Sequence, residues 1–152
     1  MKRGQQKRIP TPGQQQLHHL IGAYDWSNQS VTWTTTTRKD SEAFIAFLEH
    51  LLLDTYPDQT LVLVLDNASI HHSAATQAAL TLFAHRVQLF WLPPYCSTLN
   101  LIERFWLHLK GQVCVDTLYP CLDTLVNAVE QALIAQNDPT NPDRFSFSTL
   151  IP

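Results

Sequence analysis

Two acidic residues stand in apolar surroundings, where a carboxylate calls for an explanation. Asp66 directly follows the apolar run LVLVL (61–65), and Glu103 is flanked by Ile102 and Phe105 in a segment with helical spacing. Two carboxylates brought together repel each other unless a cation lies between them. Hard oxygen ligands suit Mg²⁺ or Mn²⁺, and two such ions about 4 Å apart can promote phosphodiester displacement. The pair therefore predicts a candidate metal site.

Each acid also has a simpler interpretation. A lone aspartate at the end of a strand can cap the turn that follows it. Glu103 alone can be an exposed helix residue, or it can form an ion pair with Arg104 or Lys110. The sequence leaves these alternatives open for each residue taken singly.

Soft metal ligands are poorly arranged for a zinc site. His71 and His72 follow the first acid and could bind a metal, but adjacent histidines in a polar loop more often form hydrogen bonds or lie at the surface. Cys96, Cys114 and Cys121 are odd in number and lack CxxC spacing. They predict neither a zinc site nor a disulfide framework, and they are typical of a reducing cytoplasm.

Hydrophobic periodicity and turn residues predict the elements that carry these side chains. They are a hairpin (17–26 and 30–37), a helix (40–56) capped by Asp40 or Ser41, a strand (60–66), a helix (73–86), a strand (87–92), and two helices (97–113 and 121–137).

This order predicts an α/β fold in which the two single strands are parallel and joined by a crossover. Neither strand alternates apolar with polar residues, so we expect both to be buried on both faces. Sites in such sheets lie beyond the carboxyl ends of the strands, which is where Asp66 and the segment LPPYCSTLN (92–100) fall.

Charge is distributed unevenly along the chain. The formal net charge is −3, yet four of the ten Lys and Arg residues, Lys2, Arg3, Lys7 and Arg8, lie near the start. We expect residues 1–16 to form a basic irregular arm that either contacts phosphate or is only solvated. Residues 17–137 form the predicted core and 138–152 a Pro-rich tail. No segment has the length or character of a membrane span or a secretory signal.

The two segments LVLDNASIHHS and VQLFWLPPYCSTLNLIERFWLHLK together resemble the catalytic core of DDE transposases, in the bacterial insertion-sequence branch of the mariner-like superfamily. The resemblance covers about residues 4–115. Its motif positions are Asp66, Asn67, His71, Leu92, Pro93, Pro94, Tyr95, Ser97, Asn100, Glu103, Trp106 and Lys110.

The resemblance implies an RNase H-like mixed sheet flanked by helices, dependence on Mg²⁺ or Mn²⁺, and DNA strand cleavage and transfer at transposon ends. It implies that Asp66 and Glu103 are the second and third acids of a catalytic triad and bind the metal. Asn67, His71 and Asn100 would be supporting residues.

The resemblance also implies partners and a location. Lys110 would reach a DNA phosphate, as would the basic arm. A homodimer on DNA, at the nucleoid of a prokaryotic cytoplasm, is implied as well.

The first acid of the family triad, usually in an Asp-Glu pair, has no counterpart on a strand before the hairpin. Asp25 is the only acid before Asp40, and we do not expect it to substitute. We therefore expect a sheet that lacks its first, central strand and leaves two edges unpaired. An upstream-encoded segment, joined by frameshifting, would supply that strand; alternatively the chain is a decayed remnant.

Three functions remain open on this basis. The chain is a transposase catalytic domain that needs the upstream segment, or an inactive remnant that at most dimerises or binds DNA. The third is a small α/β binding module without metal.

Overall fold

The structure is a computed structural model that describes residues 17–146. The basic residues predicted to contact DNA, Lys2, Arg3, Lys7 and Arg8, lie outside the described residues. The elements in chain order are β1 (His19–Asp25), β2 (Ser30–Thr36), α1 (Ser41–Glu49), β3 (Leu61–Leu65), α2 (Ala74–Leu82), β4 (Val87–Trp91), α3 (Leu101–Val113) and α4 (Leu122–Asn137).

Each predicted helix and strand is present, and the differences are at the ends. Helix α1 continues as a π-helical segment, His50–Thr55, so that together they nearly fill the predicted span. Its cap is Asp40, whose Oδ1 accepts a hydrogen bond from the N–H of Ala43 at 3.0 Å. No helix within residues 17–146 is long and apolar enough to cross a bilayer.

Strands β1 and β2 form the predicted antiparallel hairpin, in register from His19↔Thr36 to Asp25↔Ser30. Helices α3 and α4 cover one face of it. The buried residues of this hairpin core are Val31, Phe105, Leu109, Val113, Leu133 and Phe145. Phe145 belongs to the segment predicted as a tail, so part of that segment packs into the core.

Strands β3 and β4 are parallel, as predicted, in register from Leu61↔Val87 to Leu65↔Trp91. A second core joins them to α1 and α2 through Leu48, Leu52, Leu80 and Val87. The prediction that these strands are buried on both faces is wrong. Val62 is 59% exposed, Val64 52% and Phe90 53%. Helices α1 and α2 cover only one face, because α3 and α4 pack on the hairpin instead.

The four described strands therefore make two separate two-stranded sheets, β1-β2 and β3-β4. A cavity of about 800 Å³ lies between β1 and β3 and is lined by every residue of both strands. Among residues 17–146 no strand pairs with the edges of β1 and β3 that face this cavity.

Gly22 is required by the close approach of α3 to β1. A Cβ at this position would lie 2.7 Å from the Trp106 ring, and Gly111 has nothing within 4 Å of a corresponding Cβ. Gly22→Ala should therefore destabilise the fold by about 1–3 kcal/mol through overpacking. Gly111→Ala, at an exposed position in the last turn of α3, should stabilise it by up to about 1 kcal/mol.

Urea unfolding of the two variants tests this difference in packing. Equal effects of the two substitutions would show that Trp106 does not pack on the backbone of β1.

Candidate active site

Asp66 follows β3 directly, so its backbone is held by the parallel sheet. Its Oδ1 accepts a hydrogen bond from the N–H of Ala68 at 3.0 Å and lies 3.0 Å from Nδ1 of His71. The side chain is 40% exposed. Asp66 thus caps the turn after the strand with one oxygen, as the simpler interpretation holds. Within residues 17–146 no hydrogen bond occupies Oδ2, so the residue can also bind a ligand.

His71 is held against the backbone that carries the acid. Its Nδ1 lies 3.1 Å from the carbonyl oxygen of Asp66 and 3.0 Å from its Oδ1. Both oxygens are acceptors, so Nδ1 must carry the proton. The ring packs on Phe44, with centroids 4.5 Å apart, and its side chain is only 14% exposed. His71 therefore orients Asp66, and its Nδ1 is not available to a metal.

Asn67 joins the carboxyl ends of β3 and β4. Its Nδ2 donates to the carbonyl of Leu92 at 2.7 Å, and its Oδ1 lies 3.3 Å from Nε2 of His72. The His72 ring stacks on Trp91 with centroids 4.4 Å apart. These contacts fix the distance between the two strand ends and leave both Asn67 and His72 with structural roles.

Glu103 lies in the first turn of α3, one turn after the helix cap Asn100. Asn100 is only 8% exposed, and its carbonyl accepts the N–H of Glu103 at 3.1 Å. The Glu103 side chain is exposed. Asp66, His71, Asn100 and Glu103 all line the one cavity between β1 and β3. Four of the predicted site residues, from the chain just after β3 and from the start of α3, therefore border the same cavity.

The oxygen ligands of the candidate site fit a hard divalent cation. Asp66 and Glu103 offer accessible carboxylate oxygens, which suit Mg²⁺ or Mn²⁺. In the part of the chain that the structure describes, no three His, Cys, Asp or Glu side chains form a group that could hold a metal ion. Cys96, Cys114 and Cys121 are free thiols. At sites with one or two carboxylates, waters and substrate oxygens complete the coordination of Mg²⁺.

Sequence reasoning did not identify Lys39, which also lines the cavity. It directly precedes the cap of α1, and the hydrogen bond from Ser41 to the carbonyl of Ile70 places that cap beside the turn after β3. In the sequence, the only feature that could have pointed to Lys39 is its position directly before the predicted helix cap Asp40. Lys110, by contrast, is exposed in the last turn of α3.

Asp25 lies at the opposite end of the cavity and closes the hairpin turn. Its carboxylate accepts hydrogen bonds from the N–H groups of Ser27 and Asn28, the Asn28 amide and the Tyr56 hydroxyl, at 2.7–3.0 Å. Burial raises the pKa of Asp25, but these hydrogen bonds outweigh burial and lower the pKa below its usual value. Burial and the bond to Asp25 raise the pKa of Tyr56.

The lowered pKa of Asp25 makes stability depend on pH. The ionised carboxylate contributes fully above its unfolded pKa, about 3.9, and the contribution is lost as pH falls through the lower folded pKa. Asp25→Asn should therefore destabilise the chain by about 1 kcal/mol at pH 7, and the difference from the unsubstituted chain should be smaller at about pH 3. Urea unfolding at both pH values measures this. An unchanged difference would show that the charge on Asp25 has no role.

These elements define a class of protein: an α/β domain with a split sheet, in which one acid directly follows a strand and a second, on a helix, borders the same cavity. A family model described as DDE superfamily endonuclease matches residues 1–126, and the chain belongs to that family. The resemblance stated from the motif residues is thereby confirmed.

The chain is 35% identical over 104 residues to the insertion element IS630 uncharacterized 39 kDa protein of Shigella sonnei. The match covers 68% of this chain and 30% of that protein, so the chain spans about a third of this curated relative.

Solved structures resemble the chain in fold. A chain of the simian T-cell lymphotropic virus intasome, solved by cryo-EM with PP2A regulatory subunit B56 gamma, is 23% identical with a TM-score of 0.54. That match covers 74% of this chain and 41% of the other. The HTLV-2 integrase catalytic core domain with magnesium, in its trimeric form, is 18% identical with a TM-score of 0.48, covering 84% and 88%. The predicted RNase H-like α/β fold is confirmed.

Proposed function

We propose that this chain forms part of a transposase catalytic domain that cleaves DNA and transfers strands at the ends of an insertion element. The observation that carries the proposal is that Asp66 and Glu103, from separate elements, line the same cavity. Membership in the DDE endonuclease family and the likeness to an insertion-element protein support it.

Each side chain has a role in this proposal. Asp66 and Glu103 would hold Mg²⁺ or Mn²⁺, and the chemistry a bound ion would supply is activation of the attacking oxygen and stabilisation of the leaving oxygen. His71 fixes the orientation of Asp66 by its two contacts, and Asn67 fixes the strand end that carries it. Asn100 begins the helix that presents Glu103. Rigid support of this kind keeps two like-charged ligands in place when no cation is bound.

The partners follow from the same chemistry. DNA at the element ends and at the target is the substrate, and Lys110 with the basic arm contacts its phosphates. Two such sites, in a homodimer, act on the two ends, in the prokaryotic cytoplasm at the nucleoid. An upstream-encoded segment supplies the first acid, because the described residues offer two ligands rather than three.

Metal binding tests the site without requiring activity. Mn²⁺ titrated into the chain, followed by electron paramagnetic resonance, should bind weakly, and Asp66→Ala should weaken binding at least about tenfold, as expected for loss of one of two charged ligands. Asp123→Ala, at an exposed position in the first turn of α4, is the matched control. If Mn²⁺ binding is absent, or equal in the two variants, the metal site does not exist.

The incomplete ligand set favours a second candidate, a remnant that at most dimerises or binds DNA. The third possibility, a binding module without metal, loses its basis because the chain belongs to an endonuclease family. Cleavage of plasmid DNA carrying the element ends separates the first two. Activity that appears only when the upstream segment is added supports the transposase, and inactivity under both conditions supports the remnant.

A further inference from the structure

The cavity between β1 and β3 carries a basic residue whose role is still open. Within the part of the chain that the structure describes, Lys39 is the one Lys or Arg residue that lines it. One end of the cavity is marked by Asp25, at the close of β1, which accepts a hydrogen bond from the Tyr56 hydroxyl. Strand β3 begins at this end, because Arg86 donates to the carbonyl of Tyr56 and its own carbonyl accepts the N–H of Leu61. Strand β3 therefore finishes at the opposite end.

The beginning of α1 lies at that opposite end, beside the turn that follows β3. The Ser41 hydroxyl donates to the carbonyl of Ile70 at 3.4 Å, and Phe44 packs on the His71 ring with centroids 4.5 Å apart. Nδ1 of His71 in turn lies 3.0 Å from Oδ1 of Asp66. The residues that immediately precede α1 are thus brought to the part of the cavity that holds Asp66.

The backbone is held on both sides of Lys39. On the preceding side, the Thr36 hydroxyl accepts the N–H of Arg38 and donates to the carbonyl of the same residue, each at 3.1 Å. On the following side, Oδ1 of the cap Asp40 accepts the N–H of Ala43 at 3.0 Å. The lysine side chain therefore extends from a fixed backbone, which is the arrangement that positions a ligand with little loss of entropy on binding.

Lys39 differs from the basic residue beside it. Arg38 forms ion pairs with Asp40 at 2.7 Å and with Glu42 at 3.6 Å. Among residues 17–146, neither an ion pair nor a hydrogen bond engages the Lys39 ammonium, and it does not pair with either acid of the candidate site. A lysine bonded to those acids would compete with a cation for their oxygens. Lys39 instead borders the same cavity and leaves the carboxylates accessible.

The charges at the cavity indicate what this ammonium binds. The carboxylates of Asp66 and Glu103 repel a phosphodiester, and one divalent ion only neutralises them. Lys39 adds one positive charge, which matches the single negative charge of a phosphodiester. A lysine ammonium is a common phosphate ligand.

Lys110 occupies a different place. It lies seven positions after Glu103 on α3, about 10 Å farther along the helix, and it is not among the residues that line the cavity. A contact of Lys110 with DNA would therefore involve a phosphate away from the two acids. The two lysines are expected to bind different phosphates.

We propose that Lys39 binds a non-bridging oxygen of the phosphodiester that is cleaved and holds it against the metal site. The inference rests on the proposed function and adds to it the residue that positions the substrate. The ammonium supplies charge and a hydrogen bond to the phosphate, while Asp66 and Glu103 stay with the metal.

Single neutral phosphates in the DNA test the contact. Duplexes carrying one element end, each with one phosphate replaced by methylphosphonate, are bound to the whole chain in Mn²⁺, and Kd is measured by fluorescence anisotropy. Neutralising the phosphate at the junction of element and flank should weaken binding by the unsubstituted chain about tenfold, as for loss of a charge-assisted hydrogen bond. In Lys39→Ala the same replacement should have no further effect, because the contact is already absent.

Three controls separate this contact from general attraction and from damage to the fold. Lys39→Arg should keep the tenfold effect, since a guanidinium also binds phosphate. Arg38→Ala removes a neighbouring positive charge that does not line the cavity, and it should keep the effect too. Lys39→Ala should bind Mn²⁺ at least as tightly as the unsubstituted chain and unfold at the same urea concentration.

The proposal is overturned if the methylphosphonate effect persists in Lys39→Ala, if it is lost equally in Arg38→Ala, or if Lys39 is coupled to a phosphate away from the junction. With DNA and Mn²⁺ both bound, any of these results concerns Lys39 alone. If Asp66→Ala leaves Mn²⁺ binding unchanged, the proposed function fails instead. A chain that does not bind the duplex at all would contradict both.

Discussion

Replacing Asp66 by asparagine should lower metal-dependent DNA cleavage by on the order of a thousandfold, because a charged ligand worth about 4 kcal/mol of transition-state stabilisation is lost. The fold should not change. An asparagine oxygen still accepts the N–H of Ala68, and His71 keeps its contact with the carbonyl of residue 66. The measurement is the rate of plasmid cleavage, in Mg²⁺ and in Mn²⁺, under the conditions in which the unsubstituted chain cleaves DNA.

Two controls make the result specific to the metal site. Asp123→Asn changes an exposed acid of α4 and should leave the rate unchanged. The amides of β3 in Asp66→Asn should keep the exchange rates of the unsubstituted chain, which excludes unfolding as the cause. If the Asp66→Asn variant cleaves DNA at the rate of the unsubstituted chain, Asp66 takes no part in the reaction and the proposed function is wrong.

Phe145→Ala should cost about 3–5 kcal/mol of folding free energy, the range for large aromatic residues in cores. Phe145 is 1% exposed and packs on Tyr24 and Phe105, with ring centroids 5.1 and 5.7 Å away. Its N–H donates to the side-chain oxygen Oε1 of the buried Gln136 at 2.7 Å. Its φ of 49° is in the left-handed region. Packing thus holds a strained backbone in place.

The matched control is Phe90→Ala, since Phe90 is 53% exposed on the uncovered face of β4. It should cost less than about 1 kcal/mol. Urea unfolding of both variants gives the comparison. Equal costs would mean that residues 138–146 form a tail outside the core rather than part of the domain.

Local sequence patterns were sufficient to predict the helices and strands. The spacing of Phe44, Phe47 and Leu48 predicts α1, and the run LVLVL predicts β3, because periodicity and capping act over a few residues. The motif around Asp66 and Glu103 also predicted the family and fold, because many of the family's motif residues occur in this chain in the same order. The element predictions depend only on neighbours in the chain, and the family prediction depends on a motif spread over two segments of it.

Burial was less predictable because it depends on what packs on each face. An apolar strand such as LVLVL is expected to be buried on both faces, yet Val62 and Val64 are exposed because no described strand links the two sheets and α3 stays with the hairpin. The opposite holds for Phe145, which lies in the segment predicted as a tail but is buried. It sits among Pro and polar residues, which carry no sign of a core position, and it is buried only because α4 brings the chain back to the hairpin.

The sequence by itself determined the elements, the family and the two acids of the candidate site. Only the tertiary structure decided that His71 holds Asp66, that Asn137 bonds to the backbone of Val31, and that a cavity lies between β1 and β3. The physical reason is that the first set depends on contacts between residues near in sequence, or on motifs. The second depends on contacts between residues as far apart as Val31 and Asn137, which no local pattern contains.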